Sequence, residues 1–511
     1  PMKTRGLLKK EIIKSKLTIF VFKPRKYTIQ EKYMKSFLTI AFALFVTTSS
    51  QAGITLVTDT TKNVIDKAKI QYKLSEGKHK YYAHNYRGAL TIYREVISID
   101  KGNAKAQYGI AECQYSLKNF ELAKTHIDMA IELHGATDSI KPVDKDVAYL
   151  HGNIFFRLGE LDSAIISYQA FKSATPNIKK LEDYDVDLLL KHCDYAKAAM
   201  ASPVDALIKN IGTNINSSAP EFAPCISLDG KSMVFTSRRP DTKGGMVDVN
   251  YDHMYYSDIY ISEWSKEDSA WGEAQNLSGK VNTEYHDGGL SFSPIGDLII
   301  YRNITDGMSG ATRSGDIYVS KRGKSGKWGA PKEILNKFPK IAKKINSTYF
   351  ESSASMTADG KRIYFVSERP GGQGQADIYY VENKGGKWSE PINIGSSINT
   401  LSDEKCVFIH PNGEILFFTS NGYEESVGSY DVYYSVKNGD AWSKPKNMGY
   451  PINTVKEEKT VSVSADGNTM YVGAYYDIES KGDADIFQID IIKLGLNITP
   501  YVSPVEEEDK D

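Results

Sequence analysis

The chain has 511 residues, 25% of them charged, and its 63 Lys and Arg against 64 Asp and Glu give a formal net charge of −1. That length suffices for two or three hydrophobic cores, and the balanced charge supplies no basic field that would draw nucleic acid. The cysteines Cys113, Cys193, Cys225 and Cys406 are widely spaced, form no metal or redox motif and are expected to be buried free thiols.

Residues 1–52 carry 11 Lys and Arg against 2 Glu. From Met34 the text runs Met-Lys, an apolar stretch Phe37–Val46, then Ser50-Gln51-Ala52 before Gly53. A basic start, a short apolar run and a small-x-small site form the pattern of a secretory signal. The expectation is a start at Met34 and cleavage after Ala52, with 1–33 as an upstream extension. The apolar run falls well short of the roughly 20 residues that span a bilayer. No Cys follows the cleavage site, so no lipoprotein anchor is expected, and membrane association would go through partners. Without this segment 52 basic residues face 62 acidic ones, a net −10.

Residues 53–202 take on helical periodicity. Gly77, Ala89 and Tyr93 are matched by Ala111, Ala123 and Ile127, then by Gly152, Ala164 and Tyr168, with internal spacings of 12 and 4 each time. Small residues at two of the three positions let paired helices approach closely. Pro176 ends the third unit, and Leu181–Met200 is expected to be a closing helix. The pattern resembles tetratricopeptide repeats. The resemblance implies a concave groove with Tyr81, Tyr108, Tyr115, Tyr149, Asn153 and Phe156 on its inner face, where a partner's helix or extended segment would lie. The alternative is that these rings pack the array against the rest of the chain. Between Met200 and Val204 there is no room for a flexible linker, which favours docked domains.

Residues 203–492 are organised by a phrase that returns five times. Ile/Val-Asn-Ser/Thr places its Asn at Asn216, Asn282, Asn346, Asn399 and Asn453, and a Gly follows each Asn by 14 residues. Nine residues before each Gly stands a carboxylate: Glu221, Asp287, Glu351, Glu404 and Glu458. Asp-Ile/Val-Tyr/Phe then begins at Asp258, Asp316, Asp377, Asp431 and Asp485. Asp-Gly and Asn-Gly turns between alternating strands make each unit a four-stranded blade, and the whole a five-bladed β-propeller. The first segment, Ala206 to Asn216, reads as a fourth strand without a blade, while the last unit ends at its third strand, Asp485–Ile489. The N-terminal strand is expected to complete the last blade and hide two sheet edges. Residues 493–511 end Glu506-Glu507-Glu508-Asp509-Lys510-Asp511 and read as a disordered acidic tail. The fold class is therefore α+β multidomain: a helical array, then an all-β propeller closed by its N-terminal strand.

The units resemble the PD40 class of WD40-like repeats of TolB-like envelope propellers, on Ser-x-Asp-Gly, Phe-x-Ser-x-Arg-Pro (Phe235 to Pro240, Phe365 to Pro370) and Asp-Ile-Tyr. Signal, tetratricopeptide array and PD40 propeller in that order resemble the front half of the Bacteroidota OmpA-family type IX secretion and gliding component. After Ile492 the text leaves no room for that family's OmpA domain, so its wall-anchoring role is not carried over.

The five carboxylates would converge near one mouth of the central channel, where they would need a cation or a basic partner. The structural alternative, favoured here, is that each bonds a neighbouring blade's loop. The Arg of Ser-x-Arg-Pro (Arg238, Arg369) and the Asp of Asp-Ile-Tyr are expected in an in-blade ion pair or turn bond, and the Asn residues as turn residues. From hairpin Gly to third-strand Asp the distance is 28, 20, 17, 18 and 18 residues. Blade one thus inserts Thr242–Ser257, with Tyr251, His253, Met254, Tyr255 and Tyr256, and blade two inserts Ile304–Ser314, with Met308 and Arg313. Blade two also lengthens a basic stretch, Leu335–Ile345. Such loops suit partner contact. No catalytic motif, metal-ligand spacing or cofactor loop is present. The expected function is a non-catalytic periplasmic scaffold associated with the outer membrane. The alternatives are a glycan- or peptide-acting enzyme using the channel and, without export, a cytoplasmic scaffold.

Overall fold

The computed structural model describes residues 51–135, 144–249, 252–277, 280–303 and 315–501. The signal-like segment through Ser50, Tyr251, Met308, Arg313 and the acidic residues after 501 lie outside the described residues. The chain divides at Lys69. The described part of the first unit belongs to the helix Gln51–Tyr82, and everything that follows concerns the second.

Helices Tyr86–Ile99, Ala104–Ser116, Phe120–Gly135, Asp144–Arg157 and Leu161–Ala174 stack as antiparallel pairs. Asn85 and Asn103 start the first two, their side chains accepting the otherwise unpaired N–H of Gly88 (2.8 Å) and Ala106 (3.0 Å). The small residues act as expected from the sequence. A Cβ on Gly77 would lie 2.8 Å from the Tyr93 ring, and one on Gly152 would lie 2.6 Å from Tyr168. Gly109, not singled out from the sequence, grips the other side of Tyr93, at 2.5 Å. The closing segment is two helices, Ile178–Asp183 and Val186–Ala201.

The propeller has five sheets. Blade three is typical: Glu351–Met356, Arg362–Ser367 and Asp377–Lys384, with the fragments Lys387–Trp388 and Ile392–Asn393 on the outer edge. Leu207–Asn210 runs antiparallel to Asp485–Asp490, from Leu207↔Asp490 to Asn210↔Phe487. The N-terminal strand therefore closes the fifth blade, as its position in the sequence requires. The recurrent Asn is more than a turn residue. Asn399 accepts from Ile378 N–H at 2.9 Å and donates to the same residue's carbonyl at 3.0 Å, standing in for a strand partner. Asn216, Asn282, Asn346 and Asn453 hold the third strands of the other blades in the same way.

Two predicted loops are corrected. Leu335–Ile345 contains the helix Pro339–Ile345, whose Ala342 and Ile345 are fully buried. The extra residues thus form part of a blade's core. After Ile492 the chain is not free: Leu494, Leu496 and Ile498 pack on the fifth blade's core, and Tyr501 N–H donates to Ala465 O at 2.8 Å.

The array stands on blades four and five. Arg157 donates to the carbonyls of Val455 and Lys456, both at 2.8 Å. Val427 and Val455 join the cluster of Phe156, Phe171 and Cys193. His192 Nε2 donates to Tyr423 O at 2.8 Å, and burial pulls its pKa down to about 4, so the ring is a neutral donor. Glu457 takes Lys118 and Lys459 at 2.8 Å, with Arg157 at 4.0 Å. Burial would raise its carboxyl, but the charges of Lys459, Lys118 and Arg157 outweigh that and hold it well below the usual range. All four cysteines are free and buried.

Candidate functional site

The five recurrent carboxylates do not share a channel mouth. Each is completely buried. Each accepts the N–H and the hydroxyl of the Ser or Thr four residues earlier: Ser217, Thr283, Ser347, Thr400 and Thr454, at 2.5 to 3.3 Å. That Ser or Thr is the third residue of the repeated tripeptide, so the acid ties each blade to the connection entering it.

Blades one to three add a guanidinium. Arg239 lies 3.1 Å from Glu221, Arg302 2.8 Å from Asp287 and Arg369 3.2 Å from Glu351. Each Arg also donates to a carbonyl of that connection, Ile215, Val281 or Ile345. Arg238 is corrected here. In Ser237-Arg238-Arg239-Pro240 the motif's Arg is Arg239, while Arg238 forms a two-bonded pair with Asp252, at 2.5 and 2.8 Å. Among the described residues, blades four and five have no such cation. Tyr423 and Tyr476 hydroxyls donate instead to the equivalent carbonyls, Ile398 and Ile452. Burial then pushes the Glu404 carboxyl up to about 8 and holds Glu458 far above its usual range. The Asp of Asp-Ile-Tyr makes turn bonds: Asp377 accepts from Gln373 and Gly374 N–H and from the Asn393 side chain.

At the axis lies a cavity of about 280 Å³, open at the end where the first strands begin. Its wall comes from all five first strands, and no Asp or Glu is among its described lining residues. Register shifts just after the carboxylates shape it. Ser352 falls between paired Glu351 and Ser353, Lys405 between Glu404 and Cys406, and Lys459 between Glu458 and Thr460. A bulge re-aims side chains by one residue. In blade one Ala223 takes φ +51° within the bulge and lines the cavity. The far end of the channel narrows to an apolar space of about 30 Å³ between Leu228, Phe292, Met356 and Phe408. The bulge residues were not singled out from the sequence. In blades three to five the bulged residue is the one after the acid, and it differs in kind between them: Ser352, Lys405, Lys459.

The blade-one insertion folds back as a small hairpin at the same end, with Asp248 N–H donating to Met254 O at 2.8 Å. His253, Met254 and Tyr255 are half-buried. Tyr256 is corrected: it is buried, edge-on to Tyr285 and His286 at 5.7 and 4.9 Å, and cannot meet a partner. Exposed apolar surface there belongs to Met246 and Val249.

The six groove residues separate into two groups. Tyr115, Tyr149, Asn153 and Phe156 border a cavity of about 190 Å³ that Ser402 and Asn421 of blade four help close. Tyr149 meets Tyr184 edge-on at 4.6 Å, Asn153 accepts from Tyr168 at 2.8 Å, and Phe156 is buried in the docking cluster. Tyr81 and Tyr108 lie apart, in the clusters of the first two repeats. Beside Tyr108, burial lifts the Glu112 carboxyl to about 7. Among the described residues there is no group of three or more potential metal ligands, and no helix is long and apolar enough to cross a membrane.

Residues 81–138 match the tetratricopeptide repeat family. No curated protein matches the chain. Among solved structures, the TPR2B domain of yeast Sti1 in complex with an Hsp70 peptide is similar to it at 18% identity. The match covers 25% of this chain and 97% of that one, with a TM-score of 0.22. A structure described as a glycoside hydrolase matches at 10% identity over 60% of this chain and 96% of its own, TM-score 0.38. The α-L-arabinofuranosidase PaAbf62A of Podospora anserina, in complex with cellotriose, matches at 12% identity over 55% and 92%, TM-score 0.32. The described fold is a tetratricopeptide-like helical array followed by a five-bladed β-propeller, with the family match lying within the array at residues 81–138.

Proposed function

We propose that this chain is a non-catalytic scaffold of the periplasm, held at the outer membrane by protein partners, in a Bacteroidota envelope or type IX secretion assembly. The envelope placement rests on the signal-like segment and on the resemblance of array plus PD40 propeller to that family. One observation carries the scaffold reading. The acids repeated in every blade are sealed into the framework, while the groove, the blade-one hairpin and the variable bulge residues gather on the end that bears the array. Partner binding falls to Tyr81, Tyr108, Tyr115, Tyr149 and Asn153 in the groove and to His253, Met254 and Tyr255 on the hairpin.

The competing reading is a glycan- or peptide-acting enzyme. Glycoside hydrolysis generally needs two carboxyl groups flanking the bond, and the described wall of the axial cavity offers none. Purification of the tagged protein from native membranes tests the choice. A stoichiometric membrane partner, lost in a Tyr81→Ala/Tyr108→Ala variant that still folds, is the expected result. Recovery of the protein alone, with saccharide or peptide turnover, would overturn it.

A further inference from the structure

The axial cavity differs chemically from the framework around it. Its described wall carries cationic and neutral groups without a carboxylate. Arg238 is neutralised by Asp252, and His286 is engaged by Ser257 and Asp248 at 3.0 and 3.3 Å. Two bulges deliver lysines to this end of the channel, and they differ. Lys459 is committed to Glu457 at 2.8 Å. Lys405, half-buried at the cavity wall, forms no ion pair among the described residues; Glu368 of the adjacent blade senses its charge from beyond contact distance.

The hydroxyls point the same way. Thr236 accepts Gly289 N–H at 3.1 Å and Thr460 accepts Ala223 N–H at 3.0 Å. Each hydroxyl therefore keeps its own proton to donate. The same wall carries the rings of Phe222, Tyr301 and Phe350, the last two with centroids 5.6 Å apart. A volume of about 280 Å³ falls just under the roughly 300–1,000 Å³ of typical small-molecule sites.

We propose that this pocket binds a compact organic carboxylate, its charged group on Lys405 and its apolar body against Phe222 and Phe350. The ligand is a small acid with a ring-sized body, and the site is independent of the groove and of any protein partner. Among the described residues no carboxylate forms an ion pair with Lys405, and an organic anion in the cavity would supply that charge-assisted partner.

Isothermal titration calorimetry of the full chain with benzoate, cyclohexanecarboxylate, benzamide and inorganic phosphate tests this. One-to-one binding of either carboxylate is expected, with benzamide and phosphate at least about tenfold weaker, the equivalent of one charge-assisted hydrogen bond. A preference between the two carboxylates then tells an aromatic from an aliphatic body. Lys405→Met should lose binding by about tenfold or more while Lys405→Arg keeps it, and Phe350→Ala should weaken both acids. Near-UV circular dichroism checks that each variant stays folded. Failure of both carboxylates to saturate, undiminished binding in Lys405→Met, or phosphate binding as tightly as benzoate would each overturn the proposal.

Discussion

Blades one to three and blades four and five solve one problem in two ways. In every blade a carboxylate is buried completely beside a Ser or Thr. In the first three an Arg both neutralises it and ties down the blade connection; in the last two a Tyr keeps the tie and drops the charge. A repeat can thus preserve a hydrogen-bond topology while changing its electrostatics. The cation-free pair carries the helical array, so the basic groups at that seam, Lys118, Arg157 and Lys459, gather instead on Glu457, the residue next to Glu458.

The largest expected effect comes from making blade three resemble blade four. Arg369→Met strands the Glu351 carboxylate and should cost about 3–5 kcal/mol at pH 8. The loss should shrink toward pH 5, where the acid can take up a proton; equal losses at both pH values in urea denaturation would break the comparison. Next is Glu404→Gln. The folded Glu404 keeps its proton up to about 8, against 4.5 ordinarily. Between those values the folded state binds more protons than the unfolded chain, so wild-type stability falls as pH rises through the window. The variant should lack that decline and be more stable at pH 8, on the order of 2–4 kcal/mol. Thermal unfolding across pH 5 to 8 reads the difference. Arg157→Met removes two bonds to propeller carbonyls and should cost about 2–3 kcal/mol, read as faster proteolysis between Ala201 and Leu207. The smallest belongs to Lys344→Ala, which breaks an exposed pair with Glu390 and should change stability by no more than about 0.5 kcal/mol.

The ring closure was legible because Ala206–Asn216 and Asp485–Ile489 are complementary fragments of one periodic unit. The paired-helix contacts were legible for the same reason, since only a small residue at Gly77 or Gly152 lets an aromatic ring sit against the helix. The fate of the carboxylates was half legible: Ser217 and Glu221, or Thr400 and Glu404, stand four apart in every unit, although only the fold shows that they bond. Arg238 was misassigned although Ser-x-Arg-Pro itself places its Arg at Arg239; the fold shows both neighbours in ion pairs, Arg239 with Glu221 and Arg238 with Asp252. Tyr256 looked like surface because composition does not tell an exposed insertion from one that folds back. The bulge residues escaped notice because a one-residue slip in pairing leaves no mark in composition or period.

The account depends most on the recurrent acids being framework rather than site. Infrared difference spectroscopy of wild type against Glu404→Gln, followed from about pH 5 to pH 9, observes the proton on that carboxyl directly. The account expects a protonated carboxyl band that persists through neutral pH and fades near 8. A Glu404 already ionised at pH 5 would mean that water or a cation reaches it, and would contradict the sealed framework.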